Sequence, residues 1–174
     1  MQPLYIFDLD GTLALIEHRR HFVTAPMIIY TFYERTEVLI KHPDFKPDWK
    51  AFYAACVDDK PNWPVIRTLR SLLRAGNQVW IWSGRSDEVR EQTTKWIEDN
   101  VLPSIIPMGA PRIALSMRKE GDYTPDEQLK EQWLKALKAL VRKRLTAVFD
   151  DRQKVVDMWR RNGVVCFQVA PGDF

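Results

Sequence analysis

The sequence predicts an α/β protein: one parallel sheet with helices on both faces, and a small cap inserted after the first strand. Three observations carry that prediction. From residue 64 onward, short apolar runs alternate with amphipathic helical stretches, the pattern of parallel strands joined by right-handed crossovers. Three apolar runs end in compact polar motifs, at Asp8 and Asp10, at Ser83 and Arg85, and at Asp150 and Asp151. Open sheets bind ligands at the carboxyl ends of their strands, so these motifs are expected along one edge. Residues 14–63, finally, interrupt the alternation.

Leu4, Tyr5, Ile6 and Phe7 form an apolar run of the length of a fully buried strand. Gly11-Thr12 ends it, because the chain must turn there. The insertion holds Phe22, Tyr30, Phe32, Tyr33, Trp49, Phe52, Tyr53 and Trp63, broken by Pro26, Pro43, Pro47 and Pro61. Aromatics at near-helical spacing between prolines predict two or three short helices, a mostly helical cap over 14–63 on a core of 1–13 and 64–174. Most of these rings are expected to bury in the cap, leaving one or two to stack on a ring of the substrate.

Val65, Ile66, Leu69, Leu72 and Leu73 make one helical stripe, with Arg67, Arg70 and Arg74 on the wet face and Gly76 as the stop. Gln78–Trp82 reads as a second buried strand, ending in Ser83-Gly84-Arg85-Ser86. A helix over 87–100, capped by Asp87, turns Val89, Thr93, Trp96 and Ile97 inward. Residues 101–117 are apolar and proline-broken, a short strand with loops, and 117–123 are polar and turn-like. A helix then opens at Thr124 or Asp126 and carries Leu129, Trp133, Leu134, Leu137 and Val141 inward. Leu145–Phe149 is a strand ending on Asp150-Asp151-Arg152, followed by a helix closed by Gly163 and a last strand over 164–169.

The composition limits what such a fold can do. With 174 residues, 45% hydrophobic and 28% charged, the chain can build one domain with a real core. A net charge of +3 does not announce nucleic-acid binding and is compatible with a phosphate-bearing substrate. No apolar stretch has the length of a membrane span, and the first residues read as a core strand rather than a signal peptide, so a cytoplasmic protein is expected. Cys56 and Cys166 are expected as two reduced, buried thiols, and His18, His21 and His42 lack the spacing of a zinc site.

Two carboxylates two residues apart at a strand end repel each other, so they imply a cation between them or a shared proton. Asp8, Asp10, Asp150 and Asp151 together make a hard, oxygen-only site of the kind that suits magnesium. One carboxylate of the first pair can attack as a nucleophile, and the other can protonate the leaving oxygen and then deprotonate water. Ser83, Arg85 and Lys130 can supply donors to the transferring phosphoryl oxygens. The cluster His18-Arg19-Arg20-His21 lies close enough to the acidic turn to make Arg19 and Arg20 candidate substrate contacts.

These motifs resemble those of the haloacid dehalogenase (HAD) superfamily of phosphohydrolases. FDLDGTL matches its first motif, with the nucleophile at Asp8 and the acid/base at Asp10. Ser83 after an apolar strand matches the second, and FDDR the acidic fourth at Asp150 and Asp151. Lys130 is the best positioned third-motif base, with Arg118 as rival. WSGRS, RKEGDYTPDEQLK and FDDRQKVVDMWRRNGVVCFQVAPGDF further resemble the phosphatase half of phage-type polynucleotide kinase-phosphatases and its stand-alone relatives. That likeness covers about residues 4–13 and 76–174, and implies substrate contacts for Gly84, Arg85 and Arg118. No G-x-x-x-x-G-K-[ST] occurs in the chain, so it carries no P-loop kinase signature.

The resemblance therefore implies a HAD-like (Rossmann-like) core and a magnesium-dependent phosphomonoesterase that works through an aspartyl-phosphate. A nucleic-acid 3′-phosphate end is the expected substrate. Free nucleoside monophosphates or sugar phosphates are the alternatives, and a non-catalytic phosphate-binding module is disfavoured by the complete set of acids. Oligomeric state leaves no trace in the sequence.

Overall fold

A computed structural model describes residues 1–32, 36–102 and 113–172, with side chains left out of account for 29–32 and 36–41. Its centre is β1 (Leu4–Phe7), whose Leu4, Ile6 and Phe7 are all buried. A strand without a polar face can lie only in the middle of a sheet covered on both sides. The sheet is built from β6 (Gln78–Ser86), β7 (Ala114–Arg118), β8 (Leu145–Arg152) and β9 (Cys166–Gly172) around it, in the order β7-β6-β1-β8-β9. All four pairings are parallel.

Alternation along the strands sorts the core into two layers. Phe7, Val79 and Ile81 pack with Ile66 and Leu69 of α2 (Trp63–Arg74) and with Trp96 and Ile97 of α3 (Arg90–Asn100). Ile6, Trp82 and Val148 face the other way, onto Leu134 of α4 (Asp126–Ala136) and Val155, Met158 and Trp159 of α6 (Gln153–Arg161). Each such fully buried side chain contributes about 1.5–3 kcal/mol. Trp159 is wholly enclosed, and its indole N–H has no hydrogen-bond partner among the described residues. That orphan donor costs about 1–3 kcal/mol, against the large apolar area that the ring buries.

Several elements differ from the sequence reading. The insertion is not mostly helical. It contains a short strand β2 (Ala14–Leu15), a 3₁₀ turn over Glu17–Phe22, an antiparallel hairpin of β3 (Met27–Phe32) and β4 (Thr36–Lys41), helix α1 (Trp49–Ala54) and β5 (Lys60–Pro61). The β-branched run around Ile28, Ile29, Thr31, Val38 and Ile40 favours paired strands, and aromatic spacing alone concealed it. β2 pairs with β5 and closes the neck of the insertion. Ser86, not Asp87, caps the turn before α3, its hydroxyl accepting from the Glu88 N–H at 3.4 Å. The helix expected to run through Val141 stops at Leu137, which takes an extended conformation, and resumes as α5 (Ala139–Arg142).

The strand expected within 101–117 appears as β7, and residues 103–112 of that reading lie outside the described residues. Arg118 ends β7 rather than sitting in a turn. Cys56 and Cys166 are free and buried, as expected. Among the described residues no helix is long and apolar enough to cross a membrane.

One glycine is fixed by its surroundings. Gly11 has φ +85°, and a Cβ there would run into the Asp151 carboxylate. Gly11→Ala should therefore lower stability by about 1–3 kcal/mol, from left-handed strain and the clash together. Urea unfolding of the variant and the parent protein measures the difference.

Candidate active site

Sheet register creates an acidic cluster. Phe7 of β1 pairs with Phe149 of β8, so the next residues on the two strands, Asp8 and Asp150, emerge side by side. One carboxylate oxygen from each of Asp8, Asp150 and Asp151 lies within 4.8 Å of the others, and all three residues are buried. Thr12 steadies the third, its hydroxyl donating to Asp151 Oδ1 at 3.2 Å.

The counter-charge comes from α4. Lys130 Nζ lies 2.6 Å from Asp8 Oδ1, 3.0 Å from Asp150 Oδ2 and 3.3 Å from Asp126 Oδ2. Burial by itself would push this amine toward neutrality, but the three carboxylates outweigh it and hold its pKa well above the ordinary value. Burial raises Asp8 well above the usual carboxylate range against the attraction of Lys130, and it raises Asp150 in the same way. Asp151, buried and beside the Asp150 charge, is pushed up to about 6.

Asp10 does not join this cluster. Its carboxylate lies in a second, separate group, with Arg19, Arg85 and Asp59. Arg19 Nη2 is 2.6 Å from Asp10 Oδ1, and Arg85 donates to both carboxylate oxygens of Asp10. Asp59 closes the ring, accepting from Arg19 Nε at 2.6 Å and from Arg85 Nη2 at 2.7 Å. Its own carbonyl accepts the Trp96 indole N–H at 2.7 Å. Burial would raise Asp10, but Arg85 and Arg19 together hold it well below the usual range. Asp59, sharing the same two guanidinium groups, is raised by its burial.

A cleft of about 520 Å³ opens over both groups. Asp8, Asp10 and Asp151 are at its floor, and Trp49, Tyr53, Arg118 and Tyr123 are among its walls. Arg118 is committed to the protein: its guanidinium donates to the carbonyls of Gly84 at 2.7 Å and Asp122 at 3.3 Å, and also to that of Thr124. Arg19 and Arg85 are fully buried and hold acids. Of the sequence-predicted substrate contacts, Arg19 and Arg85 are paired with Asp10 and Asp59, and Arg118 lines the cleft while bound mainly to backbone carbonyls. Arg20 is half-buried on the 3₁₀ turn and is not among the cleft-lining residues. Ser83 is buried, and its hydroxyl accepts the N–H of Arg85 at 3.2 Å, while Gly84 and Ser86 line the cleft at that strand end. Gly84 has no room for a side chain, since a Cβ would meet the Asp126 carboxylate.

Residues 49–174 match the family model described as the polynucleotide kinase PNKP phosphatase domain. The chain belongs to that family. Two chains from solved structures are similar over 99% of this one. The first, from a structure titled "Structure of the Pnkp1/Rnl/Hen1 RNA repair complex", is 28% identical with a TM-score of 0.66. The second, from "Structure of Pnkp1/Rnl/Hen1 complex", is 29% identical with a TM-score of 0.65. This chain spans 44% and 48% of their lengths. Within this phosphatase-domain family, the matched segment contains Arg85, Lys130, Asp150 and Asp151 but begins after Asp8 and Asp10. The first motif is tied to the rest by geometry, through the contact of Lys130 with Asp8.

Two site residues escaped the sequence reading. Asp126 is one: it stands four residues before Lys130 on α4, a spacing that puts both on one helix face and was legible. Asp59 gave no signal, because only folding carries it from the neck of the insertion to Arg85 on β6.

Removing one member of a buried ion cluster leaves an uncompensated charge, at a cost of about 3–5 kcal/mol. Asp59→Ala should thus destabilise the fold by that order in urea unfolding. A second expectation concerns pH. The folded pKa of Asp151, about 6, lies above its unfolded value near 3.9. The folded state therefore binds the proton more tightly. Its contribution is complete below about pH 4 and is lost as pH rises through 6, about 3 kcal/mol. The unfolding midpoint of metal-free protein should fall between pH 4.5 and 7, and Asp151→Asn should flatten that fall.

Proposed function

We propose that this chain is a magnesium-dependent phosphomonoesterase that removes the terminal phosphate from nucleic-acid 3′ ends, with Asp8 as nucleophile. The observation that carries the reading is the 2.6 Å contact of Lys130 Nζ with Asp8 Oδ1 inside a buried acid cluster open to a cleft. A lysine so placed can neutralise a phosphoryl group next to the attacking carboxylate.

The donors fit magnesium. Asp8, Asp150 and Asp151 would hold the ion; their donors are all hard oxygens, and among the described residues no histidine or cysteine belongs to the cluster. When bound, magnesium supplies charge neutralisation that lets a phosphate dianion approach these acids.

The remaining work belongs to the side chains. An Asp8 oxygen bonds to phosphorus as the bond from phosphorus to the 3′ oxygen breaks, leaving the phosphoryl group on Asp8. The departing 3′ oxygen takes a proton from Asp10, which must first have taken one up from solvent as the substrate enters. Water then attacks the same phosphorus, Asp10 takes the proton from that water, and the Asp8 carboxylate is restored with release of phosphate. The arginine pair holds Asp10 ionised, the form that accepts a proton from water. Its acid role requires that grip to loosen as the substrate enters. Arg19 and Arg85 therefore act through Asp10, as positioning residues. Arg118 orders the cleft wall, and Lys130 takes the part of the third-motif base.

The substrate class is supported by the family, a polynucleotide kinase phosphatase domain, and by the neighbours, which come from an RNA repair complex. A comparison of 3′-phosphorylated oligonucleotides, 5′-phosphorylated oligonucleotides and mononucleotides tests it. The 3′-phosphorylated strands should give the highest kcat/KM.

Asp8→Asn should reduce turnover below a tenth of the parent value, a loss exceeding about 1.4 kcal/mol at the barrier, while circular dichroism stays unchanged. Retention of more than that would remove Asp8 from the nucleophile's role. Exhaustive chelation should stop phosphate release, and magnesium should restore it better than zinc.

A further inference from the structure

The cleft carries aromatic surface that the phosphoryl chemistry does not use. Tyr123 is 91% exposed, yet the backbone on both sides of it is held by hydrogen bonds. Arg118 donates to the carbonyls on either side of it, at Asp122 and Thr124. The Thr124 N–H donates to Asp122 Oδ1 at 2.9 Å, and the Glu120 N–H to Asp87 Oδ1 at 2.8 Å. A turn fixed so closely around a solvent-facing ring gives up backbone entropy without burying that ring. The cap side contributes a second aromatic surface to the same cleft. Trp49, 47% exposed, leans on Tyr53 with centroids 6.0 Å apart and on Phe52 at 5.7 Å. Phe52 is locked beneath, its ring under the Arg19 guanidinium at 4.1 Å.

The charge of the cleft points the same way. Among the described residues that line it, seven are acids and four are basic. Even with a divalent cation bound, acids outnumber bases on that wall, so its net pull on a phosphate backbone is weak. Stacking of the bases can supply binding energy that charge does not.

We infer that Trp49 and Tyr53 of α1, with Tyr123 of the braced turn, form a stacking site for the unpaired terminal base of a single-stranded end. This rests on the 3′-phosphatase reading and deepens it: the substrate is selected by its terminal base and its phosphate, with little contact to the backbone behind. A terminal base paired in a duplex keeps its faces stacked on its neighbour and competes poorly for the site.

Two ligands test the site: a short DNA strand ending in a 3′-phosphorylated thymidine, and the same strand ending in a 3′-phosphorylated abasic sugar. Binding is measured with the Asp8→Asn protein, and phosphate release with the parent enzyme. The base-ended strand should bind at least about tenfold more tightly, within the range base–aromatic stacking contributes. Tyr123→Ala and Trp49→Ala should each bring that preference below about threefold, and Tyr123→Phe should preserve it. The binding constant should fall with salt at a log–log slope no steeper than about −1.5, as for one or two phosphate contacts.

Equal binding of the two strands, or a preference that survives both alanine variants, would overturn the stacking site. Phosphate release from both strands without a binding preference would keep the phosphatase and lose the stacking site. A tenfold binding preference without release from either strand would keep the stacking site and lose the phosphatase.

Discussion

Without the ammonium of Lys130, the ends of β1 and β8 would bring buried carboxylates into mutual repulsion. Parallel pairing of Phe7 with Phe149 makes Asp8 and Asp150 neighbours, and Asp151 follows one residue later. The sheet cannot form in that register without the crowding. α4 answers it by projecting Lys130 into the cluster, with Asp126 one helical turn back as its further partner. Burial strengthens each of these charge interactions and makes each missing partner costly. Fold and proposed chemistry thus rest on the same contacts: the arrangement that neutralises the acids also places a cation against Asp8, the carboxylate we propose as nucleophile.

The second ion cluster has a different task. Asp10, Arg19, Asp59 and Arg85 come from the first turn, the 3₁₀ segment of the insertion, its returning neck and the end of β6. Two acids and two bases balance their charge, and the ring ties the insertion to the core beside the site. Asp10 stands only two residues from Asp8, yet its proton affinity is set by guanidinium groups while that of Asp8 is set by burial. Carboxylates whose environments push their pKa values apart are suited to different roles. The local sequence D-x-D is symmetric, and the surroundings break the symmetry.

Above these two clusters the cleft is shaped by restraint. Arg118 spends its guanidinium on the carbonyls of Gly84, Asp122 and Thr124, so the wall opposite α1 is held by the core of the protein. Gly84 lies where α4 approaches β6 too closely for a side chain. The aromatic surface of Trp49 and Tyr123 is therefore presented on fixed supports, which lowers the entropy lost when a ring stacks upon it.

The sequence by itself determined the sheet, its strand ends and the acids there. Apolar runs such as Leu4–Phe7 and Gln78–Trp82 have too little polarity to be anything but buried strands, and a chain that turns after each must leave its polar residues at one edge. What the sequence did not determine was the partner of each charge. Arg19, Arg85 and Arg118 read as substrate contacts, whereas Arg85 meets Asp10 and Asp59 at 75 and 26 positions' distance, Arg19 meets the same two acids, and Arg118 is held chiefly by backbone carbonyls. The hairpin of β3 and β4 was likewise hidden, since strand pairing is a long-range preference and its β-branched residues are ambiguous one at a time. Burial and register settled both, because a charge removed from water takes the nearest opposite charge that the fold supplies, whatever its distance along the chain.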